Sequence, residues 1–419
     1  MSFLRIDFNL LLRALSSRNY RLFFGGQGIS LVGTWMQRIA VSWLVYRLTN
    51  SAFMLGMVGF AGQLPNFMLT PIAGVWVDRL NHRRLLIWTQ TLAMIQAGIL
   101  ATLVITGAIT VWHIFALSVL LGLINAIDIP ARQSFVVEMI DRREDLGNAI
   151  ALNSSLVNVA RLIGPSVAGL LIAAFGEGVC FTVNALSFMT AIGALVAMQV
   201  KPTNANNQHK RMLVELADGF KYVFGFAPMR AVILLLSLVS LLGMPYMVLM
   251  PVIAKDILHG DSRALGFLMG AAGAGALCGA VFLASRQGVR GLDRIINMAT
   301  VVFGVGLILF SQSRYFALSM CLVFFTGLGM MMQMASSNTI LQSIVDDDKR
   351  GRLMAFYSMA FLGMAPFGNL FAGVMAKWIG TTNTLLMGGI IVVAGAIWFG
   401  SRLGIYRAQI QPILVQKGL

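Results

Sequence analysis

Long apolar runs follow one another along almost the whole chain and constrain its fold more than any other feature. Each has at least the roughly 20 residues that an α-helix needs to cross the hydrocarbon core of a bilayer. Because lipid offers no hydrogen-bond partner to the backbone, such segments must be helical. The runs number twelve: about 20–46, 53–77, 85–106, 112–137, 147–175, 178–200, 229–254, 263–286, 292–312, 315–343, 350–378 and 382–404. The sequence therefore predicts an all-α integral membrane protein with twelve transmembrane helices.

Cations are distributed unevenly between the two sides of the membrane that these spans define. With the N-terminus inside, 24 of the 31 Lys and Arg residues fall in cytoplasmic segments, five in outer loops and two, Arg38 and Arg161, within spans. Cytoplasmic loops of membrane proteins carry such an excess. We therefore expect a multi-pass protein of the inner membrane, in contact with lipid, with both termini cytoplasmic. The net charge of +15 does not indicate nucleic-acid binding, because the cations alternate between loops and form no single patch.

The two halves of the chain repeat each other. Two residues, Gly122 and Asp141, recur 205 positions later as Gly327 and Asp346. Five more pairs recur at an offset of 204: Gly147/Gly351, Ala151/Ala355, Ser154/Ser358, Gly164/Gly368 and Gly169/Gly373. We expect an N-terminal six-helix bundle at 1–200, a cytoplasmic linker at 201–228 and a C-terminal six-helix bundle at 229–419. Pseudo-symmetric bundles of this kind enclose a central substrate cavity near the middle of the membrane.

Patterns that indicate enzymatic chemistry are missing from the sequence. Cys180, Cys278 and Cys321 lie apart inside apolar runs, so neither a disulfide framework nor a zinc spacing is indicated. No Gly-x-x-x-x-Gly-Lys-Ser/Thr phosphate loop occurs, so ATP hydrolysis has no site. We expect no metal, no cofactor and no enzymatic activity, and transport by such a chain must be driven by a gradient.

Two local patterns resemble those of a known transporter superfamily. The loop after the second span has a glycine, an acid and several bases: Gly74, Asp78, Arg79, His82, Arg83 and Arg84. It resembles the gating loop between helices 2 and 3 of the major facilitator superfamily. In the fifth span, Gly164, Pro165 and Gly169 look like the helix-5 pattern of that superfamily's drug–proton antiporters. The resemblance implies transport by alternating access in a protein that normally works as a monomer.

Further stretches are similar to one branch of this superfamily, the enterobactin-exporter-like and macrolide-efflux-like proteins. They are Leu22–Gln37, Asp128–Gln133, and Arg350–Arg352 with Gly363–Gly368. The branch implies a secondary exporter that moves an amphiphilic small molecule, a siderophore or a drug, in exchange for protons. Two departures stand out: His82 replaces an arginine, and the matching loop of the second half lacks the aspartate. The fourth span also lacks the membrane-embedded arginine of many proton antiporters, so proton coupling cannot be carried over from that residue.

Charged residues inside spans are functional candidates by default. Arg38 lies on one polar stripe of the first span, together with Gln27, Ser30, Thr34 and Ser42. The stripe predicts either cavity lining or hydrogen bonding between helices. Arg161 shares a face of the fifth span with Asn158. It is a candidate to bind a substrate carboxylate or catecholate or to keep Asp128 charged, and the alternative is a structural arginine.

The fourth span has Asn125, Asp128 and Arg132 at spacings of three and four residues. Asp128 is the best candidate to carry the proton, because it is the carboxylate that lies well inside a span. The alternatives are a purely structural role and a gate. In the family, an aspartate of helix 4 pairs with a base of the gating loop; here His82, Arg83 or Arg132 is the candidate partner. We also expect Asp78 to cap the helix that starts near Arg350, because a carboxylate is favourable at a helix N-terminus.

In the second half, the candidate cavity residues are less polar. They are Tyr246 on the seventh span and Met331, Gln333 and Asn338 on the tenth. Methionine is polarizable and suits promiscuous binding, although membrane packing explains it equally well. Together with the arginines of the first half, such a surface suits an acidic amphiphile. The rival functions are a proton-linked importer or lysolipid transporter of the same fold, and a membrane enzyme or sensor.

Overall fold

The computed structural model describes residues 13–77, 80–200, 212–286, 288–346 and 349–418, and these residues form helices and connecting turns without strands. Short 3₁₀ turns occur at Arg13–Ser16 and Arg143–Asp145. The long helices are α1 (Arg18–Thr49), α2 (Ala52–Val77), α3 (His82–Ile105), α4 (Val111–Glu138), α5 (Leu146–Phe175), α6 (Glu177–Ala197), α7 (Met212–Gly225), α8 (Ala227–Ile257), α9 (Ser262–Ala284), α10 (Leu292–Gln312), α11 (Phe316–Ile344), α12 (Arg350–Ile379), α13 (Thr381–Ser401) and α14 (Leu403–Gln416).

The predicted spans correspond to helices α1–α6 and α8–α13. Eleven of these helices are long and apolar enough to cross a bilayer, which confirms an all-helical membrane fold. The exception is α1, which has 32 residues and is therefore about 48 Å long at 1.5 Å per residue. Its length suffices, but its polar residues and glycines leave it less apolar than the other eleven, so the twelfth span stays a prediction.

The chain divides into two compact units. Unit 1 comprises Met1–Leu44 and Ala61–Asn207, and unit 2 comprises Val45–Phe60 and Gln208–Leu419. The α1–α2 turn and the helix ends that flank it thus belong to unit 2. The predicted division at 1–200, 201–228 and 229–419 stays a prediction; its linker lies outside the described residues as far as residue 211, and α7 follows from there.

The sequence repeat has a counterpart inside each unit. In unit 1, the backbone amide of Asp141 donates to Ser17 Oγ at 3.2 Å. In unit 2, the amide of Asp346 donates to Tyr222 Oη at 3.3 Å. The two donors, Asp141 and Asp346, are 205 positions apart, and so are the two acceptors, Ser17 and Tyr222. Each unit therefore ties the loop after its fourth span to the segment before its first span by the same kind of bond.

Glycines allow equivalent helices of the two units to approach a neighbouring backbone closely. Gly122 on α4 packs against the carbonyl of Gly62 on α2, and Gly327 on α11 packs against the carbonyl of Ala272 on α9. A side chain at either position would collide with that carbonyl. Small residues provide such contacts between membrane helices, where burial of apolar surface supplies no driving force.

Helices α8 and α12 are interrupted by π-helical turns. They occur at Val239–Gly243 and Ile253–Ile257 in α8, and at Met359–Gly363 in α12. The first and third are joined, because Ser240 Oγ donates to the carbonyl oxygen of Phe361 at 2.5 Å. A π turn disturbs the regular hydrogen-bond ladder, and such turns are frequent at functional sites.

Candidate functional site

Two arginines of unit 1, far apart in sequence, share one aromatic ring. The guanidinium carbon of Arg38 on α1 lies 4.8 Å from the centre of the Trp35 ring, and that of Arg161 on α5 lies 5.1 Å from it. The two guanidinium carbons are therefore at most about 10 Å apart. Sequence analysis missed Trp35. Its position one helical turn before Arg38 was the available signal, since residues three apart are neighbours on a helix surface.

Arg38 is exposed, and it forms no ion pair with any residue that the structure describes. It is eleven residues from the end of α1 at Thr49, a depth of about 16 Å. A charge facing lipid at this depth is costly, and such residues face water-filled cavities instead. At the largest separation of about 10 Å, its repulsion with the second guanidinium is about 1.5 kcal/mol at an effective dielectric constant of 20. A bound anion would relieve this repulsion.

The close approach of α5 to α1 occurs at Gly164. A methyl group there would lie 2.5 Å from Trp35 Cβ and 3.0 Å from the carbonyl oxygen of Val32. Pro165 and Gly169 lie inside α5 and are buried as well. The glycine of the helix-5 pattern therefore leaves space for Trp35, whose ring both guanidiniums contact.

The polar stripe on α1 is divided between two environments. Gln27 and Ser30 are buried, and the half-buried Thr34 donates from Oγ1 to the carbonyl oxygen of Ser30 at 2.9 Å. Ser42, the fifth polar residue of the stripe, is half-buried, and only Arg38 is exposed. A cavity role for Gln27, Ser30 and Thr34 stays a prediction, because their environment is that of helix packing.

A buried chain of amides, not singled out from the sequence, joins α1 to α3 and α6. Gln37 Nε2 donates to Gln96 Oε1 at 3.0 Å, and Asn184 Nδ2 donates to Gln37 Oε1 at 2.7 Å. Gln96 Nε2 donates to the carbonyl oxygen of Leu117 on α4 at 3.1 Å. Since Gln37 precedes Arg38 in α1, these bonds set the rotation of α1 and hence the direction of the Arg38 side chain. These residues could have been singled out from the sequence, because amide side chains in the middle of a span tend to form hydrogen bonds between helices.

Asp128 on α4 is buried and accepts hydrogen bonds from three side chains. Thr89 Oγ1 and Gln90 Nε2, both on α3, donate to Oδ1 at 2.7 and 2.8 Å. Arg132, one turn further along α4, pairs with Oδ2. Of the three predicted partners, the structure thus selects the base on the same helix. The buried Gln90 Oε1 has no partner among the described atoms.

The bases of the gating loop contact other groups. His82 Nδ1 lies 2.5 Å from Glu138 Oε1. Arg83 donates from Nε and Nη2 to the carbonyl oxygens of Leu195 and Val196, both at 2.6 Å. These are carbonyls of the last turn of α6, where a cation is favourable. Arg84 is exposed.

For five other predicted site residues, the structure gives no contact that bears on the predicted role. Asp78 and Arg79 lie outside the described residues, and Gly74 is part of α2. Asn158 Nδ2 donates to the carbonyl oxygen of Ser154 on its own helix at 3.0 Å. Asn125 on α4 is half-buried. The roles assigned to these residues stay predictions.

The candidates of unit 2 are mostly enclosed. Tyr246 is fully buried and meets the ring of Phe303 edge to face, 6.3 Å between centres. Gln333 is buried, and Met331 and Asn338 are half-buried. The side-chain oxygen of Asn338 accepts a bond from Gln342 Nε2 at 2.8 Å. Cavity lining by these four stays a prediction.

Comparison with known families decides the class of protein. The model of a family described as transmembrane secretion effector, within the major facilitator superfamily, matches residues 12–411. The chain belongs to this family. The predicted resemblance to the superfamily and its exporter branch is confirmed, and the protein is a transporter rather than an enzyme.

Similar members of this transporter family cover nearly the whole chain. The staphyloferrin A transporter of Staphylococcus aureus is 24% identical over 89% of this chain and 93% of its own length. The multidrug efflux pump Tap of Mycolicibacterium fortuitum is 26% identical over 86% and 88%, respectively. Macrolide efflux protein A of Streptococcus pyogenes is 21% identical over 90% and 95%. All three are exporters of the same superfamily.

Solved structures of transporters share the fold. The nucleoside transporter NupG matches with a TM-score of 0.72 at 13% identity, over 92% of this chain and 99% of that one. A bacterial homologue of the iron transporter ferroportin, in an inward-facing state, matches with a TM-score of 0.67 at 16% identity over the same fractions. These similarities establish the fold of this family member.

Proposed function

We propose that the protein exports an acidic amphiphilic small molecule, siderophore-like or drug-like, across the inner membrane by alternating access and proton antiport. It works as a monomer with both termini cytoplasmic. The observation that carries the proposal is Arg38, an exposed cation about 16 Å from the end of its helix that has no ion pair among the described residues. A water-filled cavity explains such a charge, and an acidic substrate neutralises it.

The relatives support both parts of the substrate description. One is named for a siderophore, staphyloferrin A, and others for macrolides or for several drugs. The aromatic face of Trp35 beside two guanidiniums provides an apolar surface next to cationic groups. A ligand with an acidic group and an apolar body complements both.

Asp128 is the group that we propose couples transport to protons. As a carboxylate, it is held by Arg132 and by two side chains of α3. Gln90 suits both of its protonation states: its Nε2 donates to the ionised form, and after rotation of the amide its Oε1 can accept the proton of the neutral form. Protonation would also release Arg132, so the packing of α4 on α3 would respond to the proton.

Alternating access requires contacts that open during the cycle. In unit 2, Tyr46 at the end of α1 donates to Asp256 in the second π turn of α8. Beside this bond, Lys255 Nζ donates to Asn50 Oδ1 in the α1–α2 turn at 2.8 Å. Two polar bonds between helix ends are weak enough to break and re-form. We propose that they act as a latch on this side of the membrane.

The test is transport in inside-out membrane vesicles with an imposed proton gradient, acid inside. A panel of dyes, drugs and carboxylate or catecholate siderophores is measured for the wild type and for Asp128→Asn. The matched control is Asp293→Asn, which alters another carboxylate paired with an arginine, Arg407, at 2.6 Å.

Gradient-driven uptake of an acidic amphiphile that is lost in Asp128→Asn and kept in Asp293→Asn supports the proposal. Uptake that ignores the gradient rules out proton antiport. Uptake only with the gradient reversed indicates an importer.

A further inference from the structure

The arrangement of Arg38, Trp35 and Arg161 restricts the substrate more narrowly than a single cation does. Both guanidinium carbons lie within about 5 Å of one ring centre, so one small molecule can contact both. Each guanidinium can bind a carboxylate or phosphate through two parallel hydrogen bonds. A ligand with one acidic group can pair with only one of the two arginines at a time, whereas a ligand with two acidic groups can pair with both.

We infer that this site selects molecules with at least two acidic groups, and that Trp35 determines the selectivity by holding Arg38 and Arg161 at a common distance. The inference deepens the proposed function and rests on it for the direction and the driving force of transport. The selectivity itself is a property of binding and is measured without transport.

The position of Trp35 is itself set by the helices around it. Gly164 leaves space for its Cβ, and the bonds of the neighbouring Gln37 to Gln96 and Asn184 fix the rotation of α1. A ring that is fixed in this way also restrains the two guanidiniums near it, because each gains from its contact with the indole ring. Trp35 is therefore a positioning residue, and the arginines contact the ligand.

The experiment compares two probes that differ by one carboxylate, octylsuccinate and octanoate. Binding of each to the purified full-length protein in lipid nanodiscs is measured by calorimetry at a pH where all carboxylates are ionised, with empty nanodiscs as the blank. For the wild type, we expect octylsuccinate to bind at least about tenfold more tightly, the equivalent of one charge-assisted hydrogen bond.

Substitutions distinguish a specific effect of the Trp35 ring on selectivity from a general effect on folding. Trp35→Leu, Arg38→Gln and Arg161→Gln should each bring the ratio of the two affinities close to one, whereas Trp35→Phe, which keeps an aromatic face, should preserve most of it. The matched control is Trp398→Leu, which removes a ring from below another arginine, Arg402, at 5.5 Å in unit 2. It should leave the ratio unchanged.

A merely structural role of Trp35 would weaken both probes equally and leave the ratio as it was, which would overturn the inference. Equal affinities in the wild type, or no binding of either probe, would overturn it as well. If the ratio behaves as expected while vesicles show no gradient-driven transport, the binding site stands and the proposed function fails. Proton-driven export with no discrimination between the probes would leave the proposed function standing and overturn the selectivity.

Discussion

Gly164 on α5 and Trp35 on α1 are in contact so close that a single methyl group on the glycine would lie 2.5 Å from Cβ of the tryptophan. The contact joins the glycine–proline pattern of the fifth span to the ring on which two arginines stack. In this chain, the glycine of the pattern therefore allows the Trp35 ring of the proposed binding site to lie between α1 and α5.

Gly164→Ala should destabilise the protein and impair binding. Overpacking of a tight contact typically costs about 1–3 kcal/mol, and displacement of Trp35 should also reduce the preference for octylsuccinate. Thermal unfolding in detergent and the binding ratio measure the two effects. The control is Gly98→Ala, since a methyl group at Gly98 on α3 would meet nothing within 4 Å. Equal behaviour of the two variants would contradict the packing argument.

Arg38→Gln should weaken the transport of acidic amphiphiles and spare that of neutral ones. The substitution removes the cation but keeps a polar, hydrogen-bonding side chain, so folding should be preserved. Loss of a charge-assisted hydrogen bond is worth about 1.5–3 kcal/mol, or roughly tenfold to a hundredfold in apparent affinity. Vesicle uptake of an acidic and a neutral dye measures it. Arg314→Gln changes an exposed arginine between α10 and α11 and should have no effect; equal losses for both dyes would argue against anion recognition.

Asp128 and Arg132 should behave as one unit in stability. Removing one partner of a buried ion pair leaves an uncompensated charge and costs about 3–5 kcal/mol. Asp128→Asn and Arg132→Gln should therefore each lower the unfolding temperature, while the double variant should lose much less than the two losses combined. The coupling free energy from this double-mutant cycle should be at least about 1 kcal/mol. Additive losses would show that the pair seen in the structure is not an energetic one.

Tyr46→Phe should loosen the helix ends that meet at the α1–α2 turn. It removes the hydroxyl that donates to Asp256, a bond worth about 1 kcal/mol. We expect faster maleimide labelling of Ser51→Cys, in a background with Cys180, Cys278 and Cys321 replaced by alanine. Ser51 lines a cleft of about 390 Å³ beside Tyr46 and Asp256. Tyr222→Phe is the matched control, because it removes a tyrosine hydroxyl that donates to Asp346 at 3.1 Å; labelling that rises equally in both variants would exclude a local latch.

Hydropathy was enough to predict most of the membrane-spanning helices. Eleven predicted spans, from 53–77 to 382–404, coincide with helices that meet the length and composition of a bilayer span. Burial in lipid depends on the local composition of about 20 residues, so it can be read from a segment alone. The repeat was visible for the same reason, because residues such as Gly122 and Gly327 serve the same local packing in each half.

Partners across helices could not be read in this way. Helical periodicity placed Arg132 within reach of Asp128, but Thr89 and Gln90 approach the carboxylate only because α3 packs on α4. The loop bases His82 and Arg83, predicted as possible partners, contact Glu138 and two carbonyls of α6 instead. A side chain's neighbours depend on the rotation and depth of each helix, which the pattern of one segment does not specify.

The sequence by itself determined that this protein is a helical membrane transporter whose two halves repeat each other in sequence, and it singled out Arg38, Asp128 and Arg161 by their charge within spans. Only the tertiary structure decided that Arg38 and Arg161 share the ring of Trp35. The physical reason is that the two effects depend on different numbers of chain segments. The cost of placing a charge in lipid acts on each residue separately, whereas the stacking of two arginines on one ring needs close contact between α1 and α5, which the missing side chain of Gly164 permits.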